Sequence, residues 1–261
     1  TLAWMQNMLT APIGIGWMYY AMLMSLALIV PFGLIMFNLI STLIGGSLRM
    51  RAPLLFAVGA LSMISIGLAA EIEHSLVATA WNLKNTVDAT AATHFALVGG
   101  AVFGGFAALY YWFPKMTGRT MGESLARISF WTMLVGILVA FVPLFLAGAG
   151  EGQVIDAYKF FSGEGLDAYN LISSIGVLIL AIGVILTLAN AIASLDGGAE
   201  AGHDPWGGDT LEWFTLSPPD PHNFDVLPDV RSPRPMRDIR LAIAARSARS
   251  EAAARESQPV A

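Results

Sequence analysis

The 261 residues carry 56% hydrophobic and only 13% charged side chains, with a mean hydropathy of +0.63, which excludes an ordinary water-soluble domain of this length. The net charge is −5 and cysteine is absent, so disulfides, thiolate metal sites and any copper centre built on cysteine are excluded as well.

In chain order, no charge occurs from Thr1 to Leu48, and Arg49 is the first. About 20 apolar residues suffice to cross a bilayer as a helix, so this stretch alone demands lipid. It has no basic start, no small-residue cleavage pattern and no initiator methionine, and the chain reads as a cleaved, trimmed or split product of something longer. Apolar runs between charges predict five spans, near Gly14–Gly45, Pro53–Ala70, Ala89–Pro114, Ile128–Gly150 and Ala168–Leu195. The methionines of the first stretch, Met5, Met8, Met18, Met22 and Met24, fit packing or lipid contact better than copper ligation. At the end of the second span, Glu71, Glu73 and His74 could bind a cation, but a solvated helix end is the expectation. Gly99, Gly100, Gly104 and Gly105 in the third span read as close helix-packing positions, and Tyr110, Tyr111 and Trp112 as an interfacial aromatic belt. After Asp196 the composition turns to proline, glycine, aspartate and arginine, and residues 197–261 read as a soluble extension without a core of its own. Its end, from Asp229, is expected to be disordered or weakly helical, and His203 and His222 carry no pattern.

Twelve of the fourteen basic residues fall on one side of this topology, with only Lys84 and Lys159 opposite. Short inner loops retain lysine and arginine, so the N-terminus is expected outside and the tail inside. The acids Glu71, Glu73, Asp88, Glu151, Asp156, Glu164 and Asp167 then gather outside, where a basic soluble cytochrome could dock, although acids are simply cheap in outer loops.

Specific strings narrow the class. The run from His94 through Phe-Ala-Leu-Val-Gly-Gly-Ala-Val-Phe-Gly-Gly-Phe to Tyr-Tyr-Trp-Phe-Pro-Lys-Met-Thr-Gly-Arg119, the run Pro31-Phe-Gly-Leu-Ile-Met-Phe-Asn with Gly45-Gly-Ser-Leu-Arg49, and the tail strings Asp204-Pro-Trp, Thr210-Leu-Glu-Trp213, Ser217-Pro-Pro219 and Asn223-Phe224 recur in one order. Together they resemble the C-terminal half of subunit I of the haem-copper (cytochrome c) oxidases, from the end of that family's seventh helix through its twelfth. The resemblance implies an all-α integral membrane protein, with residues 1–196 as the five-helix region.

The resemblance also implies haem iron and copper chemistry, which the residues answer unevenly. A gap-free match through Gly99-Gly100-Ala-Val-Phe103 puts His94 at the family's low-spin haem position and Ala92 at its high-spin haem position. Alanine has no lone pair for iron. Gln6 and Asn7 stand where the family has its copper-binding histidine pair, and Phe32 and Ile35 where it has a proton-feeding threonine and lysine. Lys84 and Asn85 occupy the place of a His-Asp outer metal pair, and no arginine occurs between Arg127 and Arg231 to hold haem propionates.

The expectation is therefore a subunit-I-like component of a respiratory electron-transfer complex, with no copper and no catalytic residue of its own, that binds one low-spin haem through His94. Its partners would be the bilayer, other subunits including a chain or segment supplying the N-terminal half, and a cytochrome c donor on the outer side; no nucleic acid is expected. The expected location is the bacterial plasma membrane, with the mitochondrial inner membrane as the alternative. Two rival readings are half of a divergent catalytic oxidase that reduces oxygen and pumps protons, and a haem-free scaffold or assembly subunit. Fold resemblance does not choose among them.

Overall fold

A computed structural model describes residues 2–150, 166–224 and 227–256. Among the described residues five helices are long and apolar enough to span a membrane: α1 (Ile15–Ser41), α2 (Ala52–His74), α3 (Val87–Thr117), α4 (Glu123–Gly150) and α5 (Leu166–Gly197). The spans read from apolar runs are recovered, with α2 running to His74 and α4 starting at Glu123.

Local sequence explains where these helices start, bend and stop. Pro31 lacks the N–H that would bond the Ala27 carbonyl and crowds that carbonyl, and α1 is broken at Leu28 into Ile15–Ala27 and Ile29–Ser41. Pro53 stands in the first turn of α2, where a missing N–H costs nothing. Thr86 caps α3 by accepting from the Asp88 N–H at 3.3 Å. Gly118, at φ +75°, closes α3 by donating its N–H to the Pro114 carbonyl at 2.8 Å. Two stretches open to π-helix, Phe95–Val102 in α3 and Leu146–Gly150 at the end of α4, the latter just after Pro143.

The chain divides into two compact units. The first holds residues 1–111 and 122–190. Its centre is aromatic: Phe56 of α2 is fully buried, stacks on Tyr110 at 5.3 Å, and meets Phe103 at 5.8 Å and the edge of Phe130 at 5.2 Å. Tyr110 is thus a core residue, 3% exposed, rather than part of an interfacial belt, and its hydroxyl accepts from Asn190 Nδ2 at 3.2 Å. Asn190 also bonds both backbone groups of Gly122, at 3.1 and 2.8 Å, tying α5 to the start of α4. Small residues bring helices into contact: a Cβ at Gly67 would lie 2.7 Å from the Ala96 nitrogen, and Gly99 and Gly100 lie against Met63 and Ile64 of α2. Gly104 and Gly105 do not share this role; the nearest atom to a Cβ at Gly104 is 3.9 Å away and Gly105 faces open space. By contrast α1 is thinly packed, and no residue of Ile29–Ser41 is buried.

The second unit holds residues 112–121 and 191–261, so the last turns of α3 and α5 fold together with the tail. A two-stranded antiparallel ladder pairs β1 (Arg119–Thr120) with β2 (Ala199–Glu200), Arg119 opposite Glu200. The tail is not coreless: Trp213 is fully buried and stacks on Trp112 at 5.8 Å. Lys115 Nζ lies 5.2 Å from the Trp213 ring and donates to the carbonyls of Thr215 at 2.9 Å and Leu216 at 3.1 Å. The end of the tail, read as disordered or weakly helical, holds a last helix, α6 (Pro235–Glu256).

Candidate functional site

Two histidines lie in neighbouring helices of the first unit, one at the end of α2 and one in the first part of α3, and their surroundings differ. His94 stands seven residues into α3, about 10 Å along the axis from Val87. Its Nδ1 lies 2.7 Å from the Thr90 carbonyl. A carbonyl can only accept, so Nδ1 carries a proton, and the tautomer that this bond selects has its lone pair at Nε2. Among the described residues nothing hydrogen-bonds that Nε2. One ring face lies on Phe141 of α4, centroids 4.8 Å apart and planes at 25°, which fixes the imidazole plane from the side. Phe95–Val102, the π-helical stretch, begins at the next residue.

His74, at the end of α2, is only 2% exposed. Its Nε2 donates to Asp88 Oδ1 at 2.6 Å, and its Nδ1 lies 3.9 Å from Glu71 Oε1. Asp88 is itself 4% exposed. The expected solvated helix end is therefore corrected: α3 and its first-turn acid cover it. Gln6 donates from Nε2 to Glu71 Oε2 at 2.5 Å and, more weakly, to Ser75 Oγ at 3.4 Å. Lys84 Nζ donates to the Gln6 backbone carbonyl. Burial lowers the Lys84 pKa below the usual lysine value, with the Glu71 charge pulling the other way. Among the described residues no group of three or more His, Cys, Asp or Glu is placed to hold a metal.

The positions singled out in the sequence are thus distributed as follows. Gln6 and Lys84 are joined by a hydrogen bond, while Asn7 and Asn85 are exposed. Ala92 is fully buried and offers no donor atom. Phe32 lines a cavity of about 480 Å³ beside Gln6, Ser25, Met36, Glu71 and Ser75, and Ile35 is 54% exposed. His94 Nε2 is a nitrogen of the type that would suit a haem iron. The Gln6 amide, already spent on Glu71, and the methyl of Ala92 do not fit copper or a second haem iron.

Three partners escaped the sequence reading. The four-residue spacing of Thr90 and His94 on one helix was a signal that could have found the first. Asp88 and Phe141 carried no such signal, because each comes from another helix than the histidine it touches.

Comparison with known proteins places this architecture. The family described as Cytochrome C and Quinol oxidase polypeptide I matches residues 1–179. The chain is 36% identical to cytochrome c oxidase subunit 1 of Thermostichus vulcanus, over 87% of this chain and 41% of that protein. It is 34% identical to cytochrome c oxidase subunit 1 of Bacillus subtilis (90% and 38%) and 33% identical to heme-copper oxidase subunit I+III of Aeropyrum pernix (88% and 28%). The chain therefore spans about two fifths or less of these relatives' length. A heme-copper terminal oxidase dimer solved by cryo-electron microscopy shares the fold, with a TM-score of 0.65 at 15% identity over 89% of this chain and 43% of that one. Matched over more than half its length and by close relatives, this multi-pass membrane chain belongs to the cytochrome c and quinol oxidase polypeptide I family.

Proposed function

We propose that this chain is a subunit-I-like membrane component of a respiratory electron-transfer complex that lacks its own oxygen-reducing centre and holds one low-spin haem through His94. The observation that supports it is the single hydrogen bond from His94 Nδ1–H to the Thr90 carbonyl, which orients the ring and leaves Nε2 as the ligand atom. A low-spin haem held there would supply one-electron transfer. The residues of this chain would hold and orient the imidazole: Thr90 by its carbonyl and Phe141 by its ring face. The rest of the enclosure would come from a chain or segment supplying the N-terminal half. The complex would sit in a bacterial plasma membrane, N-terminus outside, with a cytochrome c donor on that side.

Stacking on Phe141 favours a second reading, in which His94 is a packing residue of a haem-free scaffold. A reduced-minus-oxidised optical spectrum of the native complex, with and without carbon monoxide and repeated on His94→Ala, decides between them. Loss of a haem band insensitive to carbon monoxide supports the relay. Unchanged bands leave His94 structural and the scaffold stands.

A further inference from the structure

The second unit carries a surface that the haem site does not use. Its body includes the last turns of two membrane spans, where Ile192 is 69% and Leu195 50% exposed on one and Trp112 is 39% exposed on the other. Exposed apolar and indole side chains at span ends belong at the boundary between hydrocarbon and headgroups. Helix α6 starts from this body. Pro235 and Met236 are buried, and the Met236 N–H donates to the Asp209 carbonyl at 3.2 Å. Arg240 clamps the first turns by donating to Asp204 Oδ2 at 2.8 Å, Asp209 Oδ1 at 2.6 Å and the Gly208 carbonyl at 2.9 Å. Beyond that clamp every residue from Leu241 to Ser250 is exposed.

Arginine outnumbers acid along it, with Arg237, Arg240, Arg246, Arg249 and Arg255 against Asp238, Glu251 and Glu256. Arg240 is neutralised by its two aspartates and Arg231 by Asp229 at 2.5 Å. Among the described side chains Arg234, Arg237, Arg246 and Arg249 form no ion pair, and Asp238 is the only acid between Arg231 and Ser250. Leu241 and Ile243, 60% and 57% exposed, add apolar anchors to the same helix. Guanidinium groups free of ion pairs, on a helix where arginine outnumbers acid and which is clamped to a body at the membrane boundary, match the negative potential of a leaflet rich in anionic lipid. We infer that α6 docks on anionic phospholipid headgroups through Arg234, Arg237, Arg246 and Arg249, and that the Arg240 clamp sets where on the membrane it lands.

The chain has no cysteine, so Ser247→Cys gives a single spin-label site on the exposed stretch. The full chain is reconstituted in nanodiscs of phosphatidylcholine alone and of phosphatidylcholine with phosphatidylglycerol. The expected result is a mobile label in the neutral discs and an immobilised one in the anionic discs, released by added salt. Replacing the four arginines by glutamine, with Arg240 kept, lowers the docked-to-free ratio by at least about tenfold. A label equally mobile in both lipids overturns the inference. So does one equally immobilised in both, which means a protein contact. The salt titration needs no variant and reads the same interaction should the fourfold variant fold poorly.

Discussion

His74 and His94 stand in neighbouring helices of one packed unit, yet only one of them has an atom to give. His74 has one nitrogen bonded to Asp88 and the other facing Glu71, in a pocket that excludes water. His94 spends one nitrogen on its own helix and keeps the other. Ligand competence is thus set less by the presence of histidine than by what surrounds its second nitrogen. The same contrast applies to Gln6, whose amide is committed to Glu71 and Ser75.

The contrast can be broken from either side. The largest effect is expected for His94→Ala, which removes a haem band altogether, whereas His74→Ala leaves the spectrum of the native complex as it was. Next, Asp88→Ala strands His74 in a buried site and should lower stability by about 3–5 kcal/mol. Thermal unfolding in detergent measures this, and the His74→Leu, Asp88→Ala double variant should recover most of the loss; additive losses would show that the two residues are not a pair. Gly148→Ala presses a Cβ onto the Asp88 backbone and should cost about 1–3 kcal/mol without touching the haem band.

The smallest effect concerns Lys84. Its pKa is lowered by burial, so between that lowered value and the unfolded value near 10.5 the unfolded chain binds more protons than the folded one. Stability should therefore rise slightly as pH climbs through that window, and Lys84→Met should remove the rise. A stability curve that falls across the window in the parent but not in the variant would contradict a desolvated Lys84.

The five spans were legible because lipid demands long uncharged runs, and His94 was legible as the one histidine inside such a run. Partners across helices were not. Asp88 looked like one more outer acid until the fold brought it to His74, and Tyr110 looked interfacial until Phe56 and Asn190 enclosed it. The tail's composition suggested no core because its centre is built on one tryptophan, Trp213, against Trp112 and Lys115, which lie a hundred residues earlier. The π-helical stretches left no mark in the apolar pattern, since widening a helix turn changes direction and not hydrophobicity.

Phe95–Val102 separates His94 from the aromatic centre around Phe103 by a widened stretch of helix. The wider ladder turns through a smaller angle at each residue than the roughly 100° of an ordinary α-helix. Were the same residues wound as α-helix, His94 would face another side of the axis relative to Phe103, with no side chain at either end altered. The angular setting of the imidazole is thus held by a backbone irregularity rather than by any one side chain.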